Sequence, residues 1–290
     1  MSTVYEDVAG SWADMPSKDR EAYARTLIIP MYREAPRIAR TVGTLAASAL
    51  NDPPTEIILV DDDSDDGTVA VARSALAATT LTASIVSLER NLGKGGAVRA
   101  GVLASRGRVV AFSDADLSAG VTDIVRCFAA VESGRVDVVC ASRAVAGTVI
   151  PVRQPRLREL SGKLFNLVLR LLGLTRFRDT QCGLKAFTRE AALCLFERLS
   201  VTGFAFDVEV LLLAERFGLR IEEMPVEWRH VEESRVRPMR DGLVMLRDAL
   251  RIRFARGTRR RRPLPTVVGD ETPGAPASPE GDRGGRRAER

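Results

Sequence analysis

The 290-residue chain has no apolar run that reaches the ~18 residues of a membrane-spanning helix, so its sequence predicts no helical span. The opening residues, Met-Ser-Thr-Val-Tyr-Glu-Asp, lack a basic region followed by an apolar stretch, and no secretory signal is expected. Cysteine is scarce. Cys127, Cys140, Cys182 and Cys194 show no metal-ligand pairing and lie inside apolar or motif segments, as expected of reduced thiols in a cytosolic protein without disulfides. No aromatic platform or recognition motif accompanies the arginines near the C-terminus, which argues against a nucleic-acid partner. What is present is 45% hydrophobic and 28% charged residues with a net charge of +5, which suits one large α/β domain or two small ones with an ample core.

Residues 1–24 are polar and weakly periodic and read as an extension. The domain proper, 25–238, begins with Arg25-Thr-Leu-Ile-Ile-Pro30, a β-branched run closed by proline. Helix-compatible residues 34–50 follow, then a strand at Glu56–Val60, a helical stretch at 68–78 and a strand at Ala83–Leu88. Strand, helix, strand, helix, strand at this spacing predicts right-handed βαβ crossovers and a parallel sheet.

The stretch Arg108-Val-Val-Ala-Phe-Ser-Asp-Ala-Asp-Leu-Ser118 is an apolar run ending in two carboxylates. It predicts a buried parallel strand delivering Asp114 and Asp116 at its C-terminal edge, where open α/β sheets place their ligands. Two hard oxygen donors there suit Mg²⁺ or Mn²⁺, which completes its shell with waters and substrate phosphates. Asp-x-Asp after a strand also serves as a turn or a helix N-cap. The acidic run from Asp61 to Asp66 has two readings as well. A carboxylate there accepts hydrogen bonds from a base N–H or a ribose hydroxyl, or the run caps the helix beginning near Thr68. In Asn91-Leu-Gly-Lys-Gly-Gly-Ala-Val-Arg-Ala-Gly101, glycines permit close backbone approach, a helix N-terminus favours anions, and Lys94 and Arg99 add positive charge. The spacing fits neither a P-loop nor a dinucleotide fingerprint.

Taken in order, Ile29-Pro30-Met31-Tyr32-Arg33-Glu34, Val60-Asp61-Asp62-Asp63-Ser64, Gly93-Lys94-Gly95-Gly96-Ala97, Asp114-Ala115-Asp116, Ala141-Ser142-Arg143 and Asp179-Thr180-Gln181-Cys182-Gly183-Leu184-Lys185 form a series. It resembles the family-2 GT-A glycosyltransferases that make polyprenyl-phosphate sugars, over roughly residues 25 to 255. Asp-Thr-Gln-Cys-Gly, followed by Phe204-Ala-Phe-Asp-Val-Glu-Val210 and Val226-Glu-Trp228, is most similar to the dolichyl-phosphate β-glucosyltransferase branch. The mannosyl branch usually carries a glutamine soon after Asp-x-Asp, where this chain has Ser118 and Ala119.

The resemblance implies a Rossmann-like, mostly parallel sheet flanked by helices, with amphipathic interface helices. It implies that Pro30, Tyr32 and Glu34 cradle the nucleotide, that Asp61 or Asp62 reads base or ribose, and that Lys94 is a further donor-side residue. Asp114, Ala115 and Asp116 match the metal and donor motif, with Asp116 as direct ligand and Asp114 shared between metal and sugar nucleotide. Ser142 and Arg143 match a pair assigned to the acceptor phosphate. Arg229 and Arg235 fall near the loop that closes on the diphosphate, although Glu233 and Arg235 replace its usual glycine and lysine, which keeps the charge and reduces backbone freedom.

The implied chemistry needs no catalytic base, because a phosphate monoester already carries about −1.5 to −2 charge at neutral pH. His230, the only histidine, is therefore not required. Asp179 and Asp207 either orient the sugar or a neighbouring arginine, or serve as structural caps and ion pairs. The partners expected are UDP-glucose, with GDP-mannose as the alternative donor, and a polyprenyl phosphate; a non-catalytic nucleotide-sugar-binding scaffold is the third reading.

Such a lipid requires a membrane surface. Residues 157–174 place Glu159, Asn166, Arg170 and Gly173 along one stripe with leucines nearly all round otherwise. Such a helix suits the bilayer interface, a partner subunit such as a second copy, or a buried position. The basic amphipathic segment 239–262, ending in Arg259-Arg-Arg-Arg262, supplies a second membrane signal, each arginine adding ~1 kcal/mol near an anionic surface. The expectation is a peripheral protein on the cytoplasmic face of the cell membrane, with residues 263–290 a disordered tail.

Overall fold

Leu27, Ile28 and Ile29 are all fully buried, because β1 (Tyr23–Met31) lies inside a sheet covered on both faces. The computed structural model describes residues 23–152, 156–173 and 175–229, with a last helical stretch seen at 244–245, 247–248 and 250–252. Seven strands run in the order β3 (Ala83–Ser87), β2 (Thr55–Asp61), β1, β4 (Gly107–Phe112), β7 (Lys185–Thr188), β5 (Val138–Ser142) and β8 (Ile221–Pro225). Every pairing is parallel except those of β7, which runs antiparallel to both neighbours. A two-stranded parallel ribbon joins β6 (Val149–Val152) to β9 (Glu227–Arg229). The α/β, mostly parallel expectation therefore holds.

The two-residue period of a strand divides the core. Leu27, Ile29, Ile57, Leu59, Val109 and Ala111 face one layer, formed chiefly by α1 (Ile38–Ala46) and α4 (Gly120–Glu132). Ile28, Ile58, Val60, Val110 and Phe112 face the other, formed by α3 (Lys94–Ala104), α6 (Arg189–Glu197) and α7 (Phe206–Arg216). Phe112, Phe187, Phe196 and Phe206 cluster in the second layer at ring separations of 5.6–6.4 Å, so scarce aromatics are concentrated where area burial counts most.

Several boundaries differ from the sequence expectation. β1 begins at Tyr23 and continues through Pro30 to Met31. The 34–50 segment is a nine-residue α1 followed by a 3₁₀ turn, Ala49–Asn51, since Pro36 disfavours helical backbone at Ala35. The predicted helix 68–78 is α2 (Thr68–Ala77). The apolar segment 157–174 forms α5 (Arg156–Leu171), but its expected polar stripe does not hold together. Asn166 is 7% exposed and Gly173 lies past the helix end, while Leu164, Leu167 and Leu171 are 57%, 43% and 78% exposed. The inward face of α5 packs Phe165 and Leu169 against Val208 and Leu212 of α7, with Ile252 at the margin. All four cysteines are buried free thiols, and burial pushes the Cys182 thiol up to about 11.

Among the described residues, no helix is long and apolar enough to cross a membrane. His230, Arg235, residues 1–22 and 263–290, and most of 239–262 lie outside the described residues.

Candidate active site

The chain steps from β1 to β2 to β3 in one direction and returns to place β4 on the other side of β1. Open parallel sheets bind ligands at such a reversal, outside the carboxyl ends of the strands. Here those ends carry Pro30 to Glu34, Asp61 to Asp66 and Asp114 to Asp116. Pro30 is tolerated in a central strand for a geometric reason. The Ile28 carbonyl accepts from Ser113 N at 3.0 Å, so residue 30 faces the same neighbour, β4, beyond its last pairing. The missing N–H thus breaks no ladder bond. Tyr32 lies beneath the Arg33 guanidinium, 5.3 Å from ring centre, and Glu34 pairs with Arg37.

The acidic run is divided among several tasks. Asp62 accepts from the backbone N–H groups of Leu92 (2.7 Å) and Gly93 (2.9 Å), joining two loops. Burial still leaves its carboxyl raised above the ordinary range. Gly93 has φ +86° and a Cβ there would lie 2.8 Å from the Thr202 carbonyl, so glycine is required at the entrance to α3. Asp65 holds Arg33, and Asp66 accepts from Thr68 N and from its hydroxyl at the start of α2. Asp61 differs from these. Its Oδ2 accepts from Ser64 N at 3.1 Å, but its buried Oδ1 has no partner among the described residues. A buried acceptor left open at a ligand edge is the feature a base or ribose donor satisfies.

Asp114 and Asp116 emerge just past β4, as the apolar run predicts. Lys94 is the first residue of α3, a position where the helix dipole disfavours a cation, and its Nζ lies 2.5 Å from Asp114 Oδ1. Burial works against the Lys94 charge, but Asp114 and Asp207 outweigh it and raise the ammonium. Asp116 accepts from Ser118 N at 2.9 Å, and its carboxyl is raised by burial and by Asp114. Ala115 turns its side chain into the core, and its carbonyl accepts from Thr41 Oγ1. Arg99, expected beside Lys94, points elsewhere: it donates to the Phe196 carbonyl, because five further residues of helix carry it away from the edge.

Arg143 follows β5. Its Nε and Nη2 donate to the two oxygens of Asp179 at 2.7 and 2.9 Å, and its backbone N–H donates to Oδ2 at 2.9 Å. Its guanidinium lies 5.4 Å from the Trp228 ring centre. Burial disfavours the Asp179 charge, yet Arg143 outweighs it and holds the carboxyl at about 2. Asp179 thus pairs with an arginine, a contact common to the arginine-orienting and the structural ion-pair readings. Ser142 is fully buried, and its Oγ accepts from Ala144 N at 3.3 Å, so the hydroxyl shapes the turn under Arg143.

One five-residue loop ties these groups together. Asp179 at its start holds Arg143, while Gly183 at its end lies against Asp114, where any Cβ would overlap the carboxylate. Lys185, fully buried in β7, donates to the carbonyls of Thr180 (3.1 Å) and Cys182 (3.0 Å) and to Asp207 Oδ1 (2.6 Å). Lys185 is a functional-site residue that the motif series does not single out; its signal in the sequence is a lysine inside a short apolar strand. Arg229 is exposed and pairs with Glu227, but its N–H donates to the Ser118 carbonyl, which brings the chain leading to residue 230 beside the Asp114–Asp116 turn.

Residues 26–196 match the family described as Glycosyl transferase family 2. The chain is 32% identical over 241 residues to a dolichyl-phosphate β-glucosyltransferase of Dictyostelium discoideum, covering 79% of this chain and 73% of that one. The Homo sapiens protein of the same name is 32% identical over 265 residues, covering 86% and 79%. Among solved structures, glucosyl-3-phosphoglycerate synthase from Mycobacterium tuberculosis, in complex with Mn²⁺, UDP and glucosyl-3-phosphoglycerate, shares the fold at TM-score 0.57 and 21% identity, covering 81% of this chain and 80% of that one.

Proposed function

The chain belongs to glycosyltransferase family 2, and we propose that it moves glucose from UDP-glucose to a polyprenyl phosphate with inversion, giving a β-linked lipid-phosphate sugar. The observation that carries this is the shared loop: Asp179 aims Arg143 and Gly183 seats Asp114, so an anion-binding arginine and a carboxylate pair are set against each other by one segment. Both curated relatives above are named for transfer of glucose to dolichyl phosphate.

In this reading Asp61 Oδ1 takes a donor from the nucleoside, with Pro30, Tyr32 and Glu34 lining the same end of β1. Arg143, charged throughout the working pH range, grips the acceptor phosphate. A phosphate oxygen attacks the anomeric carbon from the face opposite the diphosphate; the new C–O bond forms as the bond to UDP breaks, and the leaving β-phosphate keeps the electron pair. No proton has to be removed from the nucleophile. The residues fit a divalent cation: Asp114 and Asp116 are hard donors, and Asp116 lacks a cationic partner of its own among the described ion pairs. Mg²⁺ or Mn²⁺ held there would neutralise charge on the leaving diphosphate. Lys94 steadies Asp114 on the donor side, and Arg229, tied through its N–H to the Ser118 carbonyl, adds a second cation beside the Asp114–Asp116 turn. The exposed Leu164, Leu167 and Leu171 face of α5 rests on the lipid surface that holds the acceptor, making the protein peripheral on the cytoplasmic face.

Membranes incubated with Mn²⁺ and labelled donor should yield label in extracted lipid from UDP-glucose, lost with EDTA. Label from GDP-mannose alone assigns a mannosyltransferase, and none from any donor assigns a nucleotide-sugar-binding scaffold. Gly183→Ala, which pushes the Asp114 carboxylate off its seat, should lower kcat/KM about 100-fold while the far-UV spectrum stays native.

A further inference from the structure

We propose that Asn166 is a positioning residue that ties the lipid-facing helix α5 to the arginine that grips the acceptor, an inference that rests on the function proposed above. Asn166 sits at 7% exposure on the inward side of α5, beside Phe165 and near Leu169, where packing alone would favour another apolar residue. Both ends of its amide are engaged. Oδ1 accepts from Thr180 N at 3.2 Å and from Thr180 Oγ1 at 3.0 Å, and Nδ2 donates back to the Gly162 carbonyl at 3.2 Å.

Thr180 directly follows Asp179, whose two oxygens hold Arg143. From the other side, the Thr180 carbonyl accepts from Lys185 Nζ at 3.1 Å. The loop is therefore suspended between two supports, one the buried Lys185–Asp207 pair and the other α5 itself. The opposite face of that same helix exposes Leu164, Leu167 and Leu171, at positions i, i+3 and i+7. A helix seated on lipid is thereby one side chain and one peptide away from the Asp179 carboxylate. Without the Asn166 acceptor, a buried Thr180 N–H and hydroxyl lose their partner, and the loop that aims Arg143 has to move or find water.

The test reads acceptor binding through Trp228, which stacks near Arg143. In full-length protein carrying Trp12→Phe, Trp228 is the sole tryptophan, and its emission is followed as farnesyl phosphate in nonionic micelles is added. Asn166→Leu should weaken farnesyl phosphate binding about tenfold while leaving UDP affinity in Mn²⁺ at the parent value. Thr180→Val, which deletes one of the two bonds without changing shape, should give a smaller loss, and Thr180→Ser should restore parent affinity. Parent-like affinity in both Asn166→Leu and Thr180→Val, or an equal loss of UDP affinity, overturns the proposal. Should the parent protein itself fail to respond to farnesyl phosphate, the acceptor reading falls and the positioning role falls with it, an outcome distinct from failure in the variants alone.

Discussion

Asp116→Ala is expected to lower glucosyl transfer by about 10³-fold or more and to leave the melting temperature unchanged or slightly raised. The two halves of that expectation have one cause. Asp116 lies close enough to Asp114 for the two charges to repel, is raised by burial, and receives its hydrogen bond from Ser118 rather than from a cation. Such a carboxylate is a cost to the folded state, retained for what it binds. Asp114 is different, since Lys94 already compensates it. The measurement pairs turnover with UDP affinity in the presence and absence of Mn²⁺. Wild type should bind UDP more tightly with Mn²⁺, and the variant should be indifferent to it. A variant that melts well below wild type yet keeps Mn²⁺-dependent UDP binding would make Asp116 a structural residue and move the metal site elsewhere.

Asp116 was legible in the sequence because the signal is local: an apolar run long enough for one strand, then carboxylates where the strand must end. The same logic located β2 and β3 and the start of α2. What stayed hidden depends on contacts between distant residues. Asp61 and Asp62 are adjacent and chemically identical, and only the approach of Leu92 and Gly93, some thirty positions on, separates the loop-building residue from the one with an open acceptor. The Ser142 hydroxyl accepts from Ala144 N within its own turn, a contact that no motif spells out and that leaves its O–H proton to donate. β7 was invisible for another reason. Its four residues carry a lysine that is 0% exposed, and insertion of an antiparallel strand between β4 and β5 follows from no repeating pattern. In α5, angular position alone grouped Asn166 with Arg170, because a helical wheel cannot tell a solvated polar residue from one bonded to a loop fourteen positions away.

Lys185→Met should cost about 3–5 kcal/mol of unfolding free energy, the largest stability loss expected of any single change near the site. The side chain is wholly enclosed, so its charge is sustained only by its neighbours. Burial disfavours the ammonium, but Asp207 outweighs that and raises it. All three of its donors are engaged by Asp207 and by the Thr180 and Cys182 carbonyls, with the Phe112 ring 5.6 Å away. Methionine fills the same space and removes every one of these bonds, leaving a carboxylate in an apolar layer. Adding Asp207→Leu removes that orphaned charge, so the double variant should recover more than half of the loss. Urea titration with an unchanged m-value is the measurement, and a single variant within about 1 kcal/mol of wild type would show that water reaches Asp207 freely. The site should register the change too. Lys94 feels both Asp114 and Asp207, so an unpaired Asp207 draws the Lys94 ammonium inward and away from the carboxylate it steadies. The double variant, lacking that pull, should regain activity in step with stability.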